Sequence, residues 1–308
     1  MRRFAKVFAS VALTVTTAMG ALVAPAQANP LGNLPTGFTA GMNPLGTGGN
    51  GILAANSSAC APNIVVNIPG GANSYGFLPE NYPHGANVKD VGKNLRAANP
   101  GRVIDRYASY NSIPGGLHSY NQTRQNGYNR AWNILARDAA HCPNAKFSLV
   151  GYSMGADIAS RITQAISAGR GPISADRLSS AVFIANPNRG VAGVAQAGNA
   201  PRHTKGAFGG LPGGYGKLSG RVLEICRKGD VVCDTPDSAS HLSTAVAKVA
   251  VLAGNVNVGE IADAVNAMTV RQRFTALPEF INGSIIHTDY YAIGGPAIAQ
   301  SYIQARLA

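Results

Sequence analysis

Short runs of apolar, often β-branched residues alternate with longer stretches of helical character along most of this 308-residue chain. The pattern predicts strands at residues 64–68, 102–106, 146–150, 179–185 and 221–225, and helices at 88–98, 120–140, 156–167 and 296–307. Strands that alternate with helices pair in parallel, because the chain must cross back over the sheet before it forms the next strand. The alternation therefore predicts an α/β fold with a central, mostly parallel sheet and helices on both faces.

The N-terminus has the features of an export signal, residues 1–28. Its basic region contains Arg2, Arg3 and Lys6. An apolar stretch at 7–23 and a small-residue cleavage site ending at Ala28 complete the signal. No cysteine lies near the cut, so we expect no lipid-modified N-terminus. Residues 29–58, rich in Gly, Asn and Pro, predict a flexible leader, and 59–308 predict a single domain.

Composition excludes several classes of protein. The sequence carries 26 basic and 14 acidic residues, for a net charge of +12. The basic residues are dispersed and no nucleic-acid-binding motif is present, so we expect no nucleic acid partner. The only apolar stretch of membrane-spanning length is the signal, which argues against a multi-span membrane protein. The charge either steers the protein toward an anionic envelope or membrane surface, or belongs to a solvated face.

Four cysteines in an exported chain predict two disulfides, with three pairings open. A zinc site is the alternative. Cys226 and Cys233 are seven residues apart, whereas zinc ligands usually lie two to four apart, and neither Cys60 nor Cys142 has a second cysteine nearby. We therefore expect no metal.

The pentapeptide Gly151-Tyr152-Ser153-Met154-Gly155 matches the G-x-S-x-G motif. It directly follows a predicted strand and directly precedes a predicted helix, which is the context in which this motif forms a nucleophile elbow. The two glycines permit the tight turn that lifts the serine hydroxyl above the sheet. An ordinary tight turn is the alternative, but the context favours Ser153 as a nucleophile.

A nucleophilic serine needs a histidine to take its proton and an acid to orient that histidine. In α/β-hydrolases the chain order is serine, acid, histidine. Asp230 follows a predicted strand and lies between Cys226 and Cys233, which could close a small rigid ring around it. Asp234 and Asp237 are the competing acids, with a solvated loop position as their ordinary role.

These features resemble the cutinase family of secreted serine esterases. The resemblance rests on the sequence GYSMGA together with the Cys-x-x-x-Asp-x-x-Cys loop at 226–233. It implies a cutinase-like α/β-hydrolase fold and disulfides Cys60–Cys142 and Cys226–Cys233. Residues 168–189 and the Gly-rich segment before Ile225 resemble the envelope-associated branch of bacteria with mycolic-acid envelopes, which is associated with lipase, phospholipase and thioesterase activity.

Two histidines satisfy the order requirement. His84, His118, His141 and His203 all precede the acid and fail it. His241 begins an apolar helical stretch, where a packed or surface histidine is the ordinary outcome. His287 opens His287-Thr288-Asp289-Tyr290 ahead of the last helix, which resembles the closing arrangement of the family. We favour His287 and expect it on a loop.

The oxyanion hole requires backbone donors that face the nucleophile. We expect the N–H of Met154, which follows the nucleophile, and an N–H from the Pro69-Gly70-Gly71-Ala72 loop after the first strand, assigned to Gly71. Neither this loop nor Met154 offers the side-chain donor that many cutinases have. A simple Gly-rich turn is the alternative for this loop.

The sequence also predicts the structure of two further segments. Residues 186–220 contain many glycines and predict a long surface loop. Residues 242–281 are apolar and helical in character, and they predict either extra core helices or a cap that lines a channel for a long acyl chain.

The leading function is a secreted serine esterase or lipase that acts through an acyl-serine intermediate, with Ser153, Asp230 and His287 as its triad and no cofactor. We expect a monomer whose substrate is a lipid or another acyl ester, including phospholipids and thioesters, and which contacts an anionic envelope or membrane peripherally. An envelope acyltransferase with the same triad is one alternative. A catalytically inactive envelope-binding protein is the other.

Overall fold

The computed structural model describes residues 60–112, 120–235 and 282–308. All of them belong to one compact unit, residues 55–308. The predicted signal, the leader, the 242–281 segment and three of the candidate residues, His118, Asp237 and His241, lie outside the described residues.

Six parallel strands form the sheet. They are β1 Asn63–Ile68, β2 Val103–Tyr107, β3 Lys146–Tyr152, β4 Leu178–Ile184, β5 Ala195–Gly198 and β6 Val222–Cys226, in the spatial order β2-β1-β3-β4-β6-β5. The helices are α1 Lys89–Ala98, α2 Tyr120–His141, α3 Met154–Ser167, α4 at 282–288 and α5 Gly295–Gln304, with short 3₁₀ turns at Ala175–Arg177, Gly216–Arg221 and Tyr291–Ile293. The predicted α/β class with a parallel sheet is confirmed.

Helices cover both faces of the central strands, and successive side chains of each strand point to opposite faces. In β1, Ile64 and Val66 pack with helices α2 and α3, whereas Val65 packs with α1 and α5. All six residues of β1 are buried. A central strand covered on both faces reads as a continuous apolar run, which is why it was visible in the sequence.

The prediction of a surface loop at 186–220 is wrong. This segment contains edge strand β5 and several buried side chains, including Arg189, Leu211 and Tyr215. The sequence of β5, Ala-Gln-Ala-Gly, has little intrinsic strand propensity. It forms because its backbone pairs with β6, from Ala195 opposite Leu223 to Gly198 opposite Cys226.

The structure contains both disulfides that the resemblance implies. Cys60–Cys142 joins the residue three positions before β1 to the residue that follows α2, and Cys226–Cys233 closes the loop that follows β6. Within the described ranges, no helix combines the length and the apolar character needed to span a membrane.

Candidate active site

The turn from β3 into α3 is a strained nucleophile elbow. Strand β3 ends at Tyr152, α3 begins at Met154, and Ser153 between them has φ 55° and ψ −119°. Positive φ is unfavourable for a residue with a Cβ, and such strain persists only where the surrounding structure enforces it. The elbow therefore stores backbone strain at the serine and presents its hydroxyl at the carboxyl edge of the sheet.

The glycines of the motif are required by close backbone contacts. A Cβ at Gly151 would lie 2.3 Å from the Gly155 carbonyl oxygen. One at Gly155 would lie 2.0 Å from Ile68 O and 2.5 Å from Pro69 O. The absence of a side chain at Gly155 lets the loop after β1 approach the N-terminus of α3. This approach brings together the two segments that were predicted to form the oxyanion hole.

We expect Gly155→Ala to destabilise the protein by about 3 kcal/mol and to reduce ester hydrolysis strongly, because its Cβ would push backbone against backbone. Urea denaturation and steady-state kinetics would measure both effects. Gly220→Ala is the matched control, since a Cβ at Gly220 meets nothing within 4 Å. Equal stabilities of the two variants would contradict the role of this contact.

Three side chains from distant parts of the chain form a hydrogen-bonded series. Ser153 Oγ lies 2.8 Å from His287 Nε2, and His287 Nδ1 lies 3.0 Å from each carboxylate oxygen of Asp230. The Asp230 side chain is fully buried, whereas the His287 side chain is 16% exposed. The serine hydroxyl can donate to Nε2 while Nδ1–H donates to the carboxylate. A serine, base and acid in this order can perform nucleophilic acyl transfer.

His287 does not lie on a loop as predicted. It occupies the last turn of α4, which is helical over 282–288. Tyr152, the second residue of the motif, holds both the backbone and the ring of His287. The Tyr152 hydroxyl donates to His287 O at 2.7 Å, and the two rings stack with centroids 5.3 Å apart. The strand that carries the serine thus also holds the histidine.

The carboxylate of Asp230 is fixed from several directions. Val232 N–H donates to Oδ1 at 2.7 Å, and the Tyr290 hydroxyl donates to Oδ2 at 2.5 Å. The Cys226–Cys233 disulfide closes the loop around it. Because the loop and its partners leave little freedom, both oxygens stay directed at the histidine.

The competing acid Asp234 has a different role. Its Oδ1 accepts from Thr204 Oγ1 at 2.5 Å, and its Oδ2 accepts from Gly229 N–H at 2.7 Å. These bonds occupy both oxygens and brace the acid loop immediately before Asp230. Asp234 is therefore a structural residue of that loop.

The backbone hydrogen bonds exclude one of the N–H groups that could bind an oxyanion. Ala72 N–H donates to Ser112 O at 2.8 Å, and Asn73 Nδ2 donates to Gly71 O at 2.7 Å. The peptide between Gly71 and Ala72 is thus held at both ends, and Ala72 N–H is not free to bind an oxyanion. Met154 begins α3, so its N–H precedes the first hydrogen bond of the helix. Gly71 and Met154 remain the candidates.

Sequence reasoning missed a buried arginine that braces the acid loop. Arg189 is 2% exposed. Its guanidinium donates to Thr204 O, Thr204 Oγ1, Gln196 Oε1, Pro201 O and Cys233 O. Burial lowers the pKa of this guanidinium from its ordinary value. The segment at 186–220 was expected at the surface, so nothing in the sequence singled out this residue.

Two of the histidines that failed the order requirement have other environments. His84 is buried against the Ser74 hydroxyl, 3.0 Å away, and the Tyr82 carbonyl, 2.8 Å away. Burial lowers its pKa. His141 is exposed next to the Cys60–Cys142 disulfide, whose sulfurs are not thiolates and so do not form a metal site with it.

The parallel sheet, the elbow and the Ser–His–Asp hydrogen bonds define the α/β-hydrolase class. The sequence profile of the Cutinase family matches residues 85–252, more than half of the chain. The chain belongs to the cutinase family. The matched range contains Ser153 and Asp230 but ends before His287.

Relatives and solved structures agree with this family. Over 151 residues the chain is 31% identical to the Carboxylesterase Culp6 homolog of Corynebacterium glutamicum, which covers 42% of this chain and 49% of that protein. The chain therefore spans about half the length of the curated relative that it matches.

Two solved structures share the fold. An iodinated complex of acetyl xylan esterase has a TM-score of 0.54 at 16% identity and covers 81% of this chain and 100% of its own. Lysin B from Mycobacteriophage D29 has a TM-score of 0.53 at 14% identity and covers 79% and 100%. At these identities the likeness shows the fold alone.

Proposed function

We propose that the protein is an exported serine esterase or lipase that hydrolyses acyl esters through an acyl-serine intermediate. The observation that carries the proposal is the hydrogen-bonded series from Ser153 Oγ through His287 to Asp230. Membership in the cutinase family supports ester hydrolysis. The serine can act as a nucleophile because a base stands 2.8 Å from its hydroxyl.

In the proposed reaction, Ser153 Oγ bonds to the ester carbonyl carbon as its proton passes to His287 Nε2. The negative carbonyl oxygen is stabilised by the N–H groups of Met154 and Gly71. The tetrahedral intermediate collapses, the bond to the leaving oxygen or sulfur breaks, and His287 returns the proton to that atom. Water then attacks the acyl-serine in the same way, which releases the carboxylic acid and restores the serine.

Asp230 keeps its charge through the cycle in this scheme. Its role is to hold His287 with Nδ1 protonated and to stabilise the imidazolium that forms during attack. The rigid loop and the buried position of the carboxylate support this role, because a charge acts more strongly at a site from which water is excluded. His287 is therefore already held in position before substrate binds.

The proposal places the protein outside the cytoplasm. The N-terminal signal pattern and two disulfides fit an oxidising compartment. Without the three basic residues of the signal the net charge is +9, which supports peripheral contact with an anionic envelope or membrane surface. We propose a monomer that acts on lipids or other acyl esters, including phospholipids and thioesters, without a cofactor.

A graded series of p-nitrophenyl esters from acetyl to palmitoyl, assayed with and without an added alcohol, tests the substrate class and the reaction together. If the substrate is a lipid, kcat/KM should rise about fourfold per methylene until the binding site is full, because each buried methylene contributes about 0.8 kcal/mol. A profile that falls beyond butyryl would contradict a lipase. Predominant transfer to the alcohol would contradict a hydrolase and favour the acyltransferase.

A further inference from the structure

A buried phenol shares the acid of the triad with the histidine. Tyr290 is 0% exposed and lies three residues after His287. Its hydroxyl stands 2.5 Å from Asp230 Oδ2, an oxygen that also lies 3.0 Å from His287 Nδ1. The other oxygen, Oδ1, accepts from Val232 N–H. The carboxylate therefore has a neutral side-chain donor in addition to the histidine and the backbone.

The proton of this phenol is committed to Asp230. Arg227 N–H donates to the Tyr290 oxygen at 3.2 Å, so the oxygen acts as an acceptor on that side. Cys233 Sγ lies 3.1 Å away, but a disulfide sulfur is a weak acceptor, so the hydrogen goes to the ionised carboxylate. Burial, and then the charge of Asp230, raise the pKa of Tyr290 well above its ordinary value. The phenol thus remains a donor throughout the working pH range of an esterase.

We infer that Tyr290 is a positioning residue, whose hydroxyl holds the Asp230 carboxylate toward His287 and withdraws part of its negative charge from the imidazole. The inference rests on the proposed function, because it assigns Tyr290 a role through the triad. Hydrogen bonds to an ionised carboxylate are short and about twice as strong as those between neutral groups. A change at this phenol should therefore reach the base through the acid.

The charge of Asp230 determines in which direction loss of the Tyr290 hydroxyl shifts the pH dependence. Without the phenol, the carboxylate would keep more of its negative charge and stabilise the imidazolium more strongly. The histidine would then hold its proton to higher pH. Since the free enzyme needs neutral His287 as its base, the acid limb of kcat/KM would move to higher pH.

Other charged and titratable groups lie on the elements around this pair within the described residues. Burial, and then the charge of Asp230, raise the pKa of Tyr152 on β3. Burial lowers the pKa of Arg189 in the loop after β4, and the charge of Asp230 is one of several that oppose this lowering. The Arg227 guanidinium bonds to Asp289 at 3.3 Å. Asp234 braces the same loop, and Glu224, whose pKa burial raises to about 7, lies on β6. A phenol-to-phenyl change leaves all of these groups in place, so a difference between matched variants reports on the deleted hydroxyl.

The test compares three Tyr→Phe variants, each of which removes one buried hydroxyl. For Tyr290→Phe we expect kcat/KM for a short ester to fall about tenfold and the midpoint of its acid limb to rise by about 0.5 pH unit. Tyr152→Phe removes a donor to a backbone carbonyl and should lower activity without moving the midpoint. Tyr107→Phe removes a phenol 2.9 Å from Asp105 Oδ2 on edge strand β2 and should change only stability.

The outcomes separate this inference from the proposed function. An unmoved midpoint in Tyr290→Phe, or an equal shift in Tyr107→Phe, would overturn the inference while the activity of the parent enzyme still stood. If Tyr290→Phe does not fold, 3-fluorotyrosine at position 290 provides a nearly isosteric test. Its more acidic phenol donates more strongly, so the acid limb should move to lower pH, and a shift in the opposite direction would overturn the inference.

Discussion

Ser153→Ala is expected to lower kcat for ester hydrolysis by about 10⁶-fold and to abolish labelling by a fluorophosphonate probe. The change removes the one atom that would bond to the substrate carbonyl. Its neighbours should stay in place, because alanine keeps the Cβ and the elbow is held by contacts of Gly151 and Gly155. Steady-state kinetics and intact-mass spectrometry would measure the two effects.

Ser219→Ala is the control for this experiment. Ser219 lies before β6, at the edge of the sheet opposite the triad, and its hydroxyl bonds to Gly216 O. We expect unchanged activity and labelling. A kcat of Ser153→Ala within tenfold of the parent value would refute the proposed serine esterase activity. A parent protein that the probe does not label would favour the inactive binding protein.

His287→Ala should lower kcat by a similar factor of about 10⁶, because without a base at Nε2 the serine keeps its proton. His241→Ala should change kcat by less than about threefold, since only His287 stands between Ser153 and Asp230 among the described residues. His203→Ala, an exposed histidine, provides the baseline for an unrelated substitution. Parallel kinetics of the three variants, with urea denaturation to confirm folding, would make the comparison.

The reverse result would move the base to His241. If both single changes cost several orders of magnitude, the geometry at His287 would not explain the reaction, and the proposed triad would be wrong. The comparison is decisive because the Cutinase profile matches through residue 252 and so includes His241 but not His287.

The elbow and the acid loop could be found in the sequence because their causes are local. The contact between Gly151 and the Gly155 carbonyl arises within five residues, and the ring that encloses Asp230 spans eight. The central strands were equally visible, since burial on both faces demands continuous apolar runs such as that of β1. In each case a short segment contains the constraint that shapes it.

The remaining features depend on partners far away in the chain. Strand β5 exists because β6 supplies its hydrogen bonds, and Arg189 is buried because the acid loop and the segment before it surround its guanidinium. Chain order and the family resemblance of its segment favoured His287, but the hydrogen bond between His287 and Ser153 joins residues 134 apart, and the bond between Tyr290 and Asp230 spans 60. No local pattern encodes such distances, since the free energy that brings these groups together comes from packing the whole sheet and its helices.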